Sequence, residues 1–365
     1  MTKKPKKIHP VKSRKAGISP KAKLFNGVRF PSELRLDLIS KDWVVIATGR
    51  ARRPETFRRE KKVSQEFSKE TCPFCKKDII KDATLVFSRG KKVKGKEQKK
   101  WTTISITNKF PAFLPSSKLD KKIEGNLYET INAAGFHEIV VTRNHKKSLA
   151  LLSLEKVKEV IDIYHQRYLD LMVKPFVNHI SIFHNYGLES GASIFHSHSQ
   201  IITTPLVDVD LTRGLSNSKR YFKREKKCIY CEMDKWEKKI KKRIVFENKD
   251  FLVLCPFASK SAFELIISPK KHLPYFEKIT EKEKWQLAQA FKAALGKIFK
   301  GLNDPAYNFY LHTAPCDGRK YDYYHWHWTI LPKTSVWAGF EIGTRMEIST
   351  IEPEKAAEYL RKQKI

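Results

Sequence analysis

The sequence predicts an α+β fold of antiparallel sheets and packed helices, built from one unit used twice. Three observations carry this: a repeated set of cysteines and histidines, a repeated helix pattern and a repeated pair of β-rich segments. In the first half Cys72-Pro-Phe-Cys75 is followed by His145 and then by His196-Ser-His198. In the second half Cys228-Ile-Tyr-Cys231 is followed by His272 and then by His325-Trp-His327. The last intervals nearly match, 51 positions from His145 to His196 and 53 from His272 to His325.

Each unit continues in the same way. Ser153 opens a stretch with apolar positions Val157, Val160, Ile161, Tyr164, Tyr168, Leu171 and Met172, the spacing of an amphipathic helix. Thr280 and Glu283 form a capping box, followed by Trp285, Leu287, Ala288, Phe291, Leu295, Ile298 and Phe299 on one apolar side. The β-rich segments are Asn178–Asn185 and Tyr307–His312, each leading to its His-x-His pair. From the second cysteine to the single histidine the intervals are 70 and 41 positions, so the first copy carries extra residues. Lys76–Lys100, Lys-rich with Gly90 and Gly95, is expected to hold much of that excess as an exposed hairpin or loop. The copies are expected to meet near residues 206–220, and no P-loop or Gly-x-Gly-x-x-Gly fingerprint is present.

Composition bounds the class. With 365 residues, 41% hydrophobic and 12% aromatic, the chain can bury about two ordinary cores and is not of disordered composition. Its formal charge is +33, of which nine basic residues and no acid fall in residues 1–24. Residues 1–28 therefore read as a basic disordered tail, and the basic body favours anionic partners. No apolar run reaches the 18 residues of a membrane span and no apolar signal core follows the basic start, so no membrane partner and a cytoplasmic location are expected. In a reducing compartment two Cys-x-x-Cys pairs are more often metal or redox groups than disulfides. A zinc-stabilised nucleic-acid binder would share the charge and the cysteines. It would leave the second histidine of each His-x-His pair and Gln200 without a purpose, so nucleic acid is not the expected partner.

A Cys-x-x-Cys pair with two distant histidines makes a nitrogen and sulfur set suited to tetrahedral zinc. The expected ligands are Cys72, Cys75, His145 and His196 for one ion and Cys228, Cys231, His272 and His325 for another. On a strand, residues two apart share a face, so His196 and His198 are expected to project together, as are His325 and His327. With His196 on metal, His198 remains as a nucleophile whose ordinary pKa near about 6.5 leaves it neutral at pH 7. Asn185, Gly187, Ser190, Gly191 and Ser193 make a donor-rich approach to it, and Gln200 can offer its amide from the same face. The second copy has Thr329 where the first has Gln200, and bulky Trp326 and Trp328 flank His327, so chemistry is expected in the first copy alone.

At Gly191-Ala-Ser-Ile-Phe-His196-Ser-His198-Ser-Gln200 the sequence resembles the histidine-triad superfamily, specifically its galactose-1-phosphate uridylyltransferase branch. The resemblance covers roughly residues 30–352 and includes Glu33 to Trp43, Gly49 to Pro54, the Asn108-Lys-Phe110 segment and Gly339 to Thr344. It implies tandem histidine-triad-like domains, 29–210 with the nucleophile and the first metal, and 211–365 with the second metal. It further implies that Arg50 and Arg53 contact the nucleotide, and that Asn108 and Phe110 hold the nucleoside. Asn185, Ser193 and Gln200, with Gly191 beside them, would hold the transferred phosphate, and His198 would form the nucleotidyl-enzyme. The implied cofactors are two zinc ions per chain, with another metal such as iron an alternative at the second site. The implied reaction is ping-pong transfer of uridylyl from UDP-glucose to galactose 1-phosphate in a homodimer, with nucleotide sugar and sugar 1-phosphate as substrates. His-Ser-His-Ser-Gln also resembles the ADP-glucose phosphorylase branch, in which inorganic phosphate is the acceptor, and dinucleotide phosphorylases share the fold.

Overall fold

A computed structural model describes residues 32–47, 54–58 and 68–365. The basic tail, Arg50 and Arg53 lie outside the described residues. The strands of the first half are β1 (Ser32–Leu36), β2 (Trp43–Ala47), β3 (Ala83–Ser88), β4 (Lys91–Lys92), β5 (Thr103–Thr107), β6 (Lys121–Glu124), β7 (Tyr128–Ile131), β8 (His137–Thr142), β9 (His179–Tyr186) and β10 (His198–Thr204). The second half supplies β11 (Ile244–Glu247), β12 (Phe251–Leu254), β13 (Leu265–Pro269), β14 (Tyr307–His312), β15 (His327–Pro332) and β16 (Ile348–Ser349). The helices are α1 (Leu154–Met172), α2 (Val209–Glu225), α3 (Ile229–Ile240), α4 (Glu281–Leu302), α5 (Gly339–Thr344) and α6 (Pro353–Arg361). No helix among the described residues is long and apolar enough to cross a membrane.

Eleven strands form one sheet in the order β11-β12-β13-β15-β14-β9-β10-β8-β5-β3-β4, antiparallel throughout. The order shows the repeat directly: β8-β10-β9 of the first copy is matched by β13-β15-β14 of the second. The copies join where β9 pairs with β14, Asn185 opposite Asn308 and His184 opposite Phe309. The sheet is therefore continuous across both copies, and one core cluster draws side chains from both. Residues 206–220, expected to join them, are largely the start of α2.

Alternation along the strands gives the sheet two unlike faces. On β14, Tyr307, Phe309 and Leu311 are buried, while Asn308, Tyr310 and His312 face the other way and are half-buried. The buried face is covered by α1 and α4, whose predicted apolar positions Tyr164, Tyr168, Phe291 and Leu295 are all buried. Phe291 meets Trp328 edge-on at 5.2 Å, an arrangement that aromatic quadrupoles favour. Trp285 departs from the pattern: the residue is 40% exposed, with the Lys158 ammonium 5.6 Å from its ring centroid. An indole can sit at such a boundary because one face takes a cation while the other packs.

The excess of the first copy is distributed differently from expectation. Within Lys76–Lys100, Ala83–Ser88 is a strand with Leu85, Val86 and Phe87 buried, while its turn, β4 and most of the lysines around them are exposed. Lysine density marks the turn, while the apolar run Leu85-Val-Phe87 decides the strand. More of the excess lies in residues 108–136, which link β5 to β8 and carry the small β6–β7 hairpin; the equivalent link from β12 to β13 is only 255–264.

Two interactions secure α1 and α4. The buried Glu138 carboxylate takes Arg167 at 2.6 and 2.7 Å, tying β8 to α1. Thr280 accepts from Glu283 N at 3.3 Å while Glu283 accepts from Thr280 N at 2.8 Å, closing the predicted capping box. Glu138→Ala would leave the buried Arg167 guanidinium with Asp170 as its remaining acid partner and should cost about 3 kcal/mol. Thr280→Ala should cost about 1 kcal/mol. Urea unfolding of the two variants checks this ranking, and equal losses would contradict it.

Candidate active site and metal centres

Each Cys-x-x-Cys pair closes on its two histidines. In both sets, Cys72, Cys75, His145, His196 and Cys228, Cys231, His272, His325, the candidate ligand atoms lie within 4.8 Å of one another. The closest sulfur to nitrogen approaches are 3.4 Å for Cys72–His196, Cys75–His145, Cys231–His272 and Cys231–His325. Zinc bonds of about 2.3 Å to sulfur and about 2.0–2.1 Å to nitrogen, at tetrahedral angles, would set these edges at about 3.5 Å. The outer contacts fit as well. His196 Nε2 is 2.8 Å from the Thr142 carbonyl, His325 Nε2 2.8 Å from that of Pro269, and His272 Nε2 2.8 Å from that of Asp322. A ring nitrogen facing a carbonyl must carry the hydrogen, which leaves each Nδ1 lone pair turned to the cysteines. The donor set and its tautomers therefore suit a structural metal at both places.

His198 begins β10 one residue beyond Ser197. The structure corrects one expectation here: His196 precedes the strand, as His325 precedes β15. The reason is a local bond. His198 Nδ1 donates to the His196 carbonyl at 3.0 Å, so that oxygen turns to its own chain instead of to a ladder partner. Nε2 of His198 is left with an uncommitted lone pair. Burial holds the His198 pKa below its ordinary value, with the bond to His196 opposing, and the ring is neutral at pH 7. Phe74, the residue before the second cysteine, packs on it with ring centroids 5.0 Å apart. Tyr230 does the same to His327 at 5.5 Å. Sequence reasoning missed this residue; its signal is the aromatic in the third position of both Cys-x-x-Cys motifs.

Around His198 the expected phosphate residues separate. Gln200 follows on the same open face of β10, and its Oε1 is 2.8 Å from His137 Nε2. Asn185 Oδ1 accepts from Asn308 at 2.7 Å, and Asn308 also donates to the Ser190 carbonyl, so the Asn185 amide nitrogen stays available. Gly187 and Gly191 both have left-handed φ, +84° and +87°; a Cβ on Gly187 would lie 2.7 Å from that of Ala306. The loop thus turns where only glycine fits. Ser193 is exposed on it. Ser190, expected as a donor, commits its hydroxyl to the Gly187 carbonyl at 2.7 Å and is unavailable. Asn108 lies against His137, and Phe110 is 82% exposed at the head of the long 108–136 link.

The second copy keeps the frame and lacks the donors. His327 Nδ1 is 3.2 Å from the His325 carbonyl, the same lock, but its ring stacks on His312 at 4.6 Å and burial pushes its pKa down to about 4. A cavity of about 1250 Å3 opens beside His327, not beside His198. Carboxyl residues, Asp42, Asp208 and Asp210 among them, outnumber the cations Arg35, Lys242, Arg243 and Lys260 along it, which makes it a poor place for a phosphate.

Metal analysis of the purified chain should find about two zinc-like ions. Cys72→Ser and Cys228→Ser should each remove one and lower the thermal midpoint, because a structural metal contributes directly to folding. Full stability in a metal-free preparation would contradict both centres.

Comparison with known proteins agrees with this geometry. Residues 28–208 match the family described as galactose-1-phosphate uridyl transferase, N-terminal domain. Along 90% of the chain it is 31% identical to an ADP-glucose phosphorylase of Arabidopsis thaliana, covering 92% of that protein. It is 25% identical to a galactose-1-phosphate uridylyltransferase of Thermotoga maritima over 91% of this chain and 99% of that one. Among solved structures, an ADP-glucose phosphorylase from Arabidopsis thaliana with bound ADP-glucose has a TM-score of 0.75 at 29% identity, covering 92% of this chain and 100% of that one. A uridylyltransferase structure has a TM-score of 0.68 at 26% identity, covering 90% and 97%. With its duplicated sheet and its paired cysteine and histidine clusters, the chain belongs to the galactose-1-phosphate uridylyltransferase family.

Proposed function

We propose that this chain transfers a nucleoside monophosphate from a nucleotide sugar through a covalent intermediate on His198. The observation that carries the reading is the bond from His198 Nδ1 to the His196 carbonyl, which leaves the Nε2 lone pair to act as nucleophile. Nε2 attacks the α-phosphorus, the bond to the bridging oxygen breaks, and sugar 1-phosphate leaves with that oxygen and its electron pair. The imidazole becomes cationic while Nδ1 keeps its hydrogen, so its bond to the carbonyl becomes charge-assisted and stronger. Amide hydrogens of Gln200 and Asn185 meet the phosphoryl oxygens, where charge develops. An acceptor oxygen then attacks the same phosphorus and returns Nε2 to its neutral state. A metal held by Cys72, Cys75, His145 and His196 would supply structural fixation of the loop before His198.

Two acceptors define two readings. Uridylyl transfer to a hexose 1-phosphate is supported by the uridylyltransferase relatives, several of which align over nine-tenths of the chain. Adenylyl transfer to inorganic phosphate is favoured by the 31% identity to an ADP-glucose phosphorylase and by His-Ser-His-Ser-Gln.

Intact-mass analysis after mixing with UDP-glucose or ADP-glucose separates the bases, since the uridylyl and adenylyl adducts differ in mass. Adding galactose 1-phosphate or inorganic phosphate to the adduct separates the acceptors by which one discharges it. His198→Gly should give no adduct with either donor, and His327→Asn should label normally. An adduct in the first variant, or half the label lost in each, would contradict a single nucleophile.

A further inference from the structure

We propose that His137 is a positioning residue that sets which end of the Gln200 carboxamide faces the phosphoryl group. The inference rests on the reading of His198 as nucleophile and extends it to a residue that never touches substrate. A glutamine amide has an oxygen and a nitrogen of nearly equal shape, and its hydrogen-bond partners decide the orientation. Only the nitrogen end can donate to a phosphoryl oxygen; the oxygen end would repel it.

The partners can be followed atom by atom. The backbone N–H of Ala112 points at His137 Nδ1 at 3.1 Å. A backbone amide can only donate, so Nδ1 accepts, and the ring hydrogen must sit on Nε2. His137 Nε2 lies 2.8 Å from Gln200 Oε1, which therefore accepts. With its oxygen engaged, Gln200 presents its NH2 group to the open face it shares with His198.

The ring is itself held by the segment expected to bind the nucleoside. The His137 carbonyl accepts from Asn108 N at 2.9 Å. The Asn108 amide nitrogen lies 2.9 Å from Nε2 and 3.4 Å from Nδ1. An atom that near both nitrogens sits over the ring face, not along either lone pair, so it does not compete for the tautomer. Asn108 Oδ1 in turn accepts from Phe110 N at 2.9 Å. His137 is buried, 8% exposed, and cannot turn away.

The second copy supports the pairing of roles. Gln200 lies opposite Ile139 and Thr329 opposite Ile266, so the position two before Ile266, Glu264, answers to His137. Gln200 and His137 are thus replaced together, and the link carrying Asn108 and Ala112 shrinks with them.

The test uses the full chain in two independent measurements. Neutron diffraction from the deuterated wild-type protein should show deuterium on His137 Nε2 and the ND2 group of Gln200 turned from His137; deuterium on Nδ1, or the reversed amide, would overturn the proposal without any variant. Single-turnover adduct formation should then be timed for wild type, His137→Leu, Gln200→Ala and the double variant. Each single change should slow the step by roughly 10- to 100-fold with the apparent affinity for the nucleotide sugar shifted less than about threefold. The double variant should be no slower than Gln200→Ala alone, within about twofold, because His137 acts through Gln200. Multiplying effects would overturn the proposal. If wild type forms no adduct, or Gln200→Ala forms it at the wild-type rate, the proposed roles of His198 or Gln200 fail, and the positioning role of His137 falls with them even if the neutron result agrees.

Discussion

The carbonyl oxygen of His196 connects the candidate metal cluster to the proposed nucleophile. Its residue is held at one ring nitrogen by Cys72 and Cys75 and at the other by the Thr142 carbonyl, and the same residue's oxygen then takes the Nδ1 hydrogen of His198. Magnitudes show which part dominates. One such hydrogen bond contributes about 1 kcal/mol, whereas a structural zinc site is worth about 10–16 kcal/mol of apparent binding. The hydrogen bond selects the tautomer, and the four-ligand cluster decides that there is a fixed carbonyl to receive it. Phe74 belongs to the same device, because closing the Cys72–Cys75 turn sets its ring against His198.

The duplication keeps one frame in two copies. Both copies have the cluster, the carbonyl lock and an aromatic against the second histidine. What differs lies around that frame: Gln200 against Thr329, His137 against Glu264, and a long 108–136 link against a short 255–264 one. The cavity near His327 is large but lined by more carboxyl groups than cations, and His312 covers the ring. Volume alone would favour the second copy; the sign of the lining charge and the available donors favour the first.

Much of this was legible in the sequence because it depends on spacing. The candidate ligand clusters follow from the repeated order of Cys-x-x-Cys pairs and histidines, and the helix opened by Thr280 and the strand Tyr307–His312 follow from periodicity and capping, which are local. The misses arise where tertiary contacts choose between local options. His196 leaves the strand because its carbonyl serves His198, Ser190 turns its hydroxyl to Gly187, and Trp285 surfaces beneath Lys158. Leu85 to Phe87 were hidden by surrounding lysines, although an apolar run bounded by turns was the better guide. His137 carried no motif and Phe74 only the shared aromatic of the cysteine turns, and the register of β8 with β10 and the fold of that turn bring them to the site.

The central claim is that the His196 carbonyl holds Nδ1 of His198 and leaves Nε2 to react. Nitrogen-15 labelling of the histidine rings, followed by phosphorus to nitrogen coupling in the trapped nucleotidyl adduct, reads this directly. The account predicts a phosphorus bonded to Nε2 of His198. A phosphorus on Nδ1 of that ring, or on His327, would contradict it.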